Sequence, residues 1–385
     1  MKIAILTLPF HTNYGGILQA YALQTFLQRN GHDVLVINRN GNNKISPKLY
    51  LLRIGSVIKS FIRLVLLGKK EYVLMNPFSP LYHSKWSGYD ILPFVKQNIK
   101  QTKEIRSTKA LIDYFNKNQF DCYIVGSDQV WRPCYSPCIT DFFLKDVLLD
   151  RKAIKLAYAA SFGTDEWEFS DEETKECAVL SKLFDAVSVR EKSGVKLCKE
   201  YLGIDAEHLL DPTMLLDKED YINLFSKLKA SKKTSKSLFC YILDHNPEAD
   251  KMVSMLEEDE YIPYYASCGA LSTKDNPRPY QLTVEEWLLG IYDAELILTD
   301  SFHACVFAII FCKPFIVVGN KDRGNARFDS LLDMFHLQKR RIESCELFKH
   351  MCEELKGSSD IVNANNILNK YRQHSLAFFK RNKVL

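Results

Sequence analysis

Apolar runs alternate with amphipathic segments from the first residues of the chain. A continuous apolar run at residues 2–8 predicts a buried parallel strand. The segment after Gly15 and Gly16 is apolar at helical spacing and closes at Gly31, and residues 34–38 predict the next strand. This strand–helix–strand unit is typical of the opening of a doubly wound sheet.

The same alternation continues far along the chain. Runs that end in polar or glycine turns predict strands at residues 121–128, 154–163 and 185–191, with a helix at 172–184. Residues 207–215 predict another strand that leads into a turn. A polar, basic stretch at 226–237 predicts a linker. Beyond it, strand patterns recur at 238–243, 261–266, 295–300 and 314–318, with helical patterns between them.

We therefore expect two α/β domains in series. Their predicted bounds are residues 1–230, which include a basic amphipathic insert at 44–70, and residues 231–345. A basic helical segment at 346–385 is expected to pack back on the N-terminal domain. Ligands of such sheets bind at the carboxyl ends of the strands, so the cleft between the domains is the expected site.

Composition narrows the class of protein. The 385 residues exceed what one hydrophobic core usually spans, and 46% hydrophobic with 25% charged residues is typical of a soluble globular protein. A net charge of +4 gives no general reason to bind nucleic acid. The eleven cysteines form no CxxC pair or zinc set, so we expect free thiols, no metal and a cytoplasmic protein. Neither a signal peptide nor a membrane span is predicted.

A polar group interrupts the apolar stretch at residues 296–318. Asp300, Ser301 and His303 follow a predicted strand, and Ser301 is placed to cap the next helix. The N–H groups and dipole of a helix start favour an anion, and a bound anion favours a protonated imidazole. His303 therefore suits general acid/base catalysis. The alternative is a simple cap beside a hydrogen-bonded core histidine.

Three further polar groups stand where strands end. In the segment 188–194, Arg190 can bind a carboxylate or phosphate with two hydrogen bonds, and Lys192 and Ser193 add donors. In the segment 124–133, polar and aromatic side chains suit a sugar: Ser127, Asp128, Gln129, Trp131 and Arg132. Asn13, Gly15 and Gly16 precede a helix and could hold a phosphate, although the dinucleotide-binding glycine spacing is missing. Ordinary caps, turns and ion pairs explain each group as well.

Residues 48–70 form a basic amphipathic pattern. Apolar positions share one helical face, and Lys59, Arg63 and Lys70 lie opposite. Such a helix binds an anionic membrane surface, or it packs on its own domain and leaves its basic face in water.

Taken together, these segments resemble the polysaccharide pyruvyl transferase family. The resemblance rests on six stretches in the family's order, from Asn13 to Val318: NYGGILQAYALQ, YIVGSDQVWRP, KLAYAASFG, SVREKSG, LDPTMLL and TDSFHACVFAIIFCKPFIVV. It implies two Rossmann-like domains in a glycosyltransferase-B-like arrangement. It also implies phosphoenolpyruvate as donor, with no other cofactor, and a hexose or hexosamine of a cell-surface glycan, or of its lipid-linked precursor, as acceptor. The product is a pyruvate ketal on two hydroxyls.

The resemblance assigns roles to particular residues. It implies His303 as the acid or base, and Asp128 is the second candidate for catalysis. Many members carry Arg-Leu-His where this chain has Ser301-Phe302-His303. The charge that holds the donor must then come from other residues. The expected donor-binding residues are Arg190, Lys192, Ser301, Asn13, Gly15, Gly16 and Arg327, with Arg323 in the same loop. The expected acceptor-binding residues are Ser127, Gln129, Trp131 and Arg132.

Two other functions fit the same two-domain frame. A glycosyltransferase would bind a sugar nucleotide at the same kind of helix start. A non-catalytic scaffold of glycan assembly, with a donor site altered at Ser301, would bind sugars or partners but no donor. Glycan precursors are often assembled on lipid at the inner face of the membrane, so peripheral contact through residues 48–70 is expected.

Overall fold

Two parallel β-sheets organise the computed structural model. It describes residues 1–10, 12–41, 91–145, 152–228, 236–244, 246–266, 281–319 and 326–385. Within these ranges the first sheet has the order β2–β1–β3–β4–β5–β6, and the second has the order β11–β10–β9–β7–β8. The strands of the first sheet are Lys2–Leu6 (β1), Asp33–Ile37 (β2), Cys122–Val125 (β3), Ile154–Ala160 (β4), Ala186–Val189 (β5) and Glu207–His208 (β6). Those of the second are Ser237–Tyr241 (β7), Ile262–Tyr265 (β8), Leu296–Thr299 (β9), Phe315–Val318 (β10) and Arg341–Ile342 (β11).

Helices connect the strands and cover the sheets. In the first domain they are Tyr14–Arg29 (α1), Leu92–Asn98 (α2), Thr108–Lys117 (α3), Asp171–Ser181 (α4), Lys192–Leu197 (α5) and Lys218–Phe225 (α6). In the second they are Pro247–Glu258 (α7), Val284–Asp293 (α8), Phe302–Ile310 (α9), Ala326–Phe335 (α10) and Cys345–Lys356 (α11), and Ser359–Arg381 (α12) ends the fold. Every strand pair within the two sheets is parallel, which explains the continuous apolar runs in place of alternation.

Local sequence sets the ends of the first helix. The Asn13 side chain accepts a hydrogen bond from the Gly15 N–H at 3.0 Å, so α1 begins at Tyr14. At the other end Gly31 has a φ of +84°, a conformation that glycine adopts without a steric penalty. The chain can therefore turn sharply into β2. The helix that the sequence predicts after Gly16 is confirmed, and it begins three residues before its apolar pattern.

The two domains share a hydrophobic core. One cluster of buried side chains runs from Ile17 and Leu18 of α1 to Trp287 of α8 and Phe307 of α9. Tyr14 stacks on Trp287 with ring centroids 5.0 Å apart, and its hydroxyl donates to the Leu282 carbonyl at 2.7 Å. Because these contacts are apolar and buried, they fix how the carboxyl ends of the two sheets face each other.

The last helix also crosses between the domains. Phe379 of α12 packs on Tyr158 of β4 with centroids 4.6 Å apart, and it also contacts Phe26 of α1. Arg372 donates to the backbone carbonyl of Met214 at 2.7 Å. The terminal segment thus lies against the N-terminal domain, while the domain bounds given above stay predictions.

Several further predictions from the sequence can be compared with the structure, and others concern residues outside the described ranges. The strand-to-turn edge predicted at 207–215 is confirmed: β6 covers Glu207–His208, and Asp211 caps a 3₁₀ turn, Pro212–Leu215, whose first residue cannot donate to a ladder. The basic insert at 44–70 and most of the linker at 226–237 lie outside the described residues. All cysteines that the structure describes are free thiols. Among the described helices, none is long and apolar enough to cross a bilayer.

Candidate active site

Each sheet has a crevice at the point where its strand order reverses. In the first sheet the strand order reverses between β1 and β3, and in the second it reverses between β7 and β9. Connections leave such a point in opposite directions and open a space beyond the carboxyl ends of the strands. Asn13 and Asp128 follow β1 and β3, and His303 follows β9. The predicted catalytic residues therefore come from the switch points of the two facing sheets.

His303 lies in the first turn of α9, against the first turn of α1. Ser301 caps α9 and accepts a hydrogen bond from the Ala304 N–H at 3.5 Å, as the sequence predicts. The His303 ring is 5% exposed and lies so close to Gly15 that a Cβ there would stand 1.8 Å from His303 Nδ1. Gly15 therefore serves close packing of the imidazole against the helix backbone. That packing brings a residue of the second domain to the helix start of the first.

A buried carboxylate, Asp211, connects the residues of this site. Its Oδ2 atom accepts hydrogen bonds from Arg190 Nη1 at 2.8 Å and Ser127 Oγ at 3.1 Å, and it lies 3.5 Å from His303 Nε2. Its Oδ1 atom accepts from the Thr213 N–H at 3.0 Å and from Thr213 Oγ1 at 2.7 Å. Burial alone would raise the pKa of Asp211, but His303 and Arg190 outweigh it and hold that pKa far below its ordinary value. Asp211 is thus an anion that orients both His303 and Arg190.

Sequence reasoning missed Asp211 as a site residue. The stretch LDPTMLL contributes to the family resemblance, yet its aspartate was assigned no chemical role. The available signal was an acid directly before Pro212 at the end of a strand pattern. That signal also describes an ordinary turn, so only the contact with His303 distinguishes it.

Arg190 is enclosed by acidic groups. It donates through Nη2 to Ser161 Oγ at 3.1 Å, lies 3.4 Å from Glu191 and 4.0 Å from Asp128, and has Phe302 4.4 Å from its guanidinium carbon. Burial opposes its charge, whereas the three neighbouring carboxylates raise its pKa above the usual value. With these partners in place, Arg190 holds the site together before any ligand arrives.

Asp128 occupies a strained turn beside α1. Its φ is +68°, in the left-handed region that is uncommon for residues other than glycine. Asn13 Nδ2 donates to Asp128 Oδ2 at 3.3 Å, and a Cβ on Gly16 would stand 2.9 Å from that oxygen. Gly15 thus leaves room for the His303 side chain, and Gly16 leaves room for the Asp128 side chain.

The predicted acceptor residues separate into two groups. Ser127 is buried and bound to Asp211, and Trp131 is fully buried. The Trp131 ring stacks on Phe143 at 4.8 Å and its N–H donates to the Phe142 carbonyl, so the expectation that it stacks on a sugar is corrected: it is a core residue. Gln129 and Arg132 are partly exposed and bond to each other at 3.2 Å.

The predicted donor residues are also divided. The Lys192 side chain is exposed, and its backbone N–H donates to Ser330 Oγ of the second domain at 2.9 Å. Arg327 is partly buried at the start of α10, and its Nε atom has no hydrogen-bond partner among the described residues. Burial, and then Arg190, lower the pKa of Arg327 to about 10. Arg323 lies outside the described residues.

The arrangement suits proton transfer in an enclosed space. An imidazole, an ionised carboxylate beside it and a second carboxylate at Asp128 are each no more than 5% exposed. Groups held in this way exchange protons with a substrate without competition from bulk water. Elsewhere, Asp259, Cys352 and Glu353 are close enough to share a cation, but Lys356 Nζ already pairs with both acids at 2.8 and 2.7 Å.

A family model described as polysaccharide pyruvyl transferase matches residues 13–322. No curated protein matches the chain significantly in sequence. A putative UDP-N-acetylglucosamine 2-epimerase from Listeria monocytogenes has a TM-score of 0.50 at 10% identity and covers 96% of this chain and 92% of its own. A glycosyltransferase from Rickettsia africae ESF-5 has a TM-score of 0.51 at 11% identity and covers 99% of this chain and 98% of its own. S. aureus MnaA, in its structure with UDP, has a TM-score of 0.53 at 10% identity and covers 100% of this chain and 97% of its own.

At these identities the likeness concerns the fold alone. It confirms two Rossmann-like domains in a glycosyltransferase-B-like arrangement.

Proposed function

Because the chain belongs to the polysaccharide pyruvyl transferase family, we propose that it transfers pyruvate from phosphoenolpyruvate to two hydroxyls of one hexose or hexosamine. The acceptor is part of a cell-surface glycan or its lipid-linked precursor, and the product is a cyclic ketal. The observation that carries this proposal is His303, held between Gly15 and Asp211 where the two sheets face each other. Ketal formation needs proton transfer at a carbon and at two oxygens, which this enclosed imidazole and the nearby carboxylates can serve.

The reaction divides into an addition and a displacement. One sugar hydroxyl loses its proton to a nearby carboxylate and attacks C2 of the enolpyruvyl group while C3 takes up a proton, for which His303 is the proposed acid. The neighbouring hydroxyl then attacks the same carbon, its proton leaves with the phosphate, and the ring closes. In this scheme Asp211 orients His303 and stabilises its protonated form.

Calorimetric titration tests the donor. We expect saturable binding of phosphoenolpyruvate to the wild-type protein and none of UDP- or GDP-sugars. In the His303→Ala variant the fold should persist while turnover falls about 10²- to 10⁴-fold, the usual contribution of a general acid/base. Binding of a nucleotide sugar alone would support a glycosyltransferase, and binding of no donor would support a scaffold of glycan assembly.

A further inference from the structure

Besides His303 Nε2, two buried polar atoms near Arg190 have no hydrogen-bond partner among the described residues. Glu191 is 1% exposed; Ser161 Oγ donates to its Oε1 atom, while its Oε2 atom has no hydrogen-bond partner in the part of the chain that the structure describes. The same holds for Nε of Arg327. A buried polar group without a partner costs about 1–3 kcal/mol, so such groups are rare unless a ligand completes them.

These atoms belong to facing surfaces of the two domains. Glu191 directly precedes Lys192, whose N–H donates to Ser330 Oγ. Arg327 and Ser330 are three residues apart on α10, and residues at that spacing share a helix face. Glu191 and Arg327 also interact electrostatically. A third unpartnered atom, the buried hydroxyl of Ser193, is contributed by the first turn of α5.

The chemistry of the unpartnered atoms favours a hydroxyl over an anion. A carboxylate oxygen only accepts hydrogen bonds, and a guanidinium N–H only donates. A sugar hydroxyl donates to the first and accepts from the second, whereas a phosphate or carboxylate would be repelled by Glu191.

We propose that Glu191, Ser193 and Arg327 form a hydroxyl-binding subsite for the acceptor sugar, in which Glu191 takes the proton of the attacking hydroxyl. The proposal rests on the pyruvyl transfer proposed above and reassigns Arg327 from the donor to the acceptor. The proton moves to Glu191 Oε2, the sugar oxygen bonds to C2 of the donor, and the C2–C3 π electrons take up a proton from His303 at C3.

Two charge-removing variants test the subsite, with a matched pair as control. Glu191→Gln and Arg327→Met each remove one charge from it. Glu207→Gln and Arg381→Met remove the same charges from an exposed ion pair of 2.7 Å away from the subsite. The probes are methyl glycosides of glucose, galactose, mannose and N-acetylhexosamines, measured by saturation-transfer NMR, and phosphoenolpyruvate, measured by calorimetry.

We expect both subsite variants to weaken glycoside binding at least about tenfold, the usual effect of losing a hydrogen bond to a charged group. The control variants should bind as the wild type does, and Arg327→Met should leave phosphoenolpyruvate affinity within about threefold.

Three results would overturn the proposal. These are unchanged glycoside affinity in Arg327→Met, no saturable glycoside binding by the wild type, or a loss of phosphoenolpyruvate affinity in Arg327→Met as large as its loss of glycoside affinity. If Glu191→Gln unfolds, Arg327→Met and Ser193→Ala still decide, since the unpartnered atoms they remove make no hydrogen bond. A protein that binds glycosides as expected but no phosphoenolpyruvate would refute the pyruvyl transfer and leave the hydroxyl subsite standing.

Discussion

Replacing Gly15 by alanine should separate the chemistry of the site from the stability of the fold. The new methyl carbon would stand 1.8 Å from His303 Nδ1 and 2.2 Å from Cγ. Normal contact needs about 3.5 Å, so the imidazole or the start of α1 must move by roughly 1.5 Å. Asp211 then no longer orients the ring, because the 3.5 Å between Asp211 Oδ2 and His303 Nε2 leaves no margin for such a shift.

The two consequences for Gly15→Ala differ in size. Overpacking costs about 1–3 kcal/mol, and alanine offsets about 0.5–1 kcal/mol of this because it is the better helix former. Unfolding free energy should therefore fall by only about 0–2.5 kcal/mol. Turnover should fall by about 10²-fold or more, since a misplaced general acid/base loses most of its contribution.

A second glycine provides the control. In Gly290→Ala of α8 the methyl carbon would stand 2.4 Å from Phe239 Cε2, a comparable clash in the core of the second domain. Phosphate release from phosphoenolpyruvate with a glycan acceptor, denaturant unfolding, and the NMR resonance of His303, assigned with His303→Gln, measure the three effects. The reasoning is refuted if Gly15→Ala keeps wild-type turnover and an unshifted His303 resonance, or if both variants lose turnover equally.

Two further predictions concern charge. Asp211→Asn removes the carboxylate that lies closest to the buried Arg190 guanidinium, at 2.8 Å, so it should lower the unfolding free energy at pH 7 by about 3–5 kcal/mol. Because the pKa of Asp211 is lowered in the fold, this stability is present above its unfolded pKa of about 3.9 and is lost as pH falls further. In guanidinium unfolding from pH 7 to pH 3, the gap between variant and wild type should therefore shrink only below about pH 4; a constant gap would contradict this. The second prediction concerns the basic segment 48–70. The protein should co-sediment with anionic liposomes at low salt, and changing Lys59, Arg63 and Lys70 to Glu should abolish this binding. Binding that survives the change would refute the expected membrane contact.

Much of this fold is encoded locally. Continuous apolar runs identify buried parallel strands, and cap residues set helix ends, so β1, α1, β9 and α9 lie where their patterns predict. The position of His303 in the first turn of α9 follows from Ser301, which stands next to the end of an apolar strand. Strand ends and helix starts are readable because their causes lie within a few residues.

The contacts of the site were decided by the tertiary structure. Asp211 and His303 are far apart in sequence and meet only because two domains share one core, and no local pattern encodes that pairing. For the same reason the sequence could not show that Trp131 is enclosed by Phe142 and Phe143, or that Glu191 and Arg327 each keep one atom without a partner in the part of the chain that the structure describes. An aromatic ring or a charged side chain has the same letter in a core and in a cleft, and only packing from distant segments decides which of these it occupies.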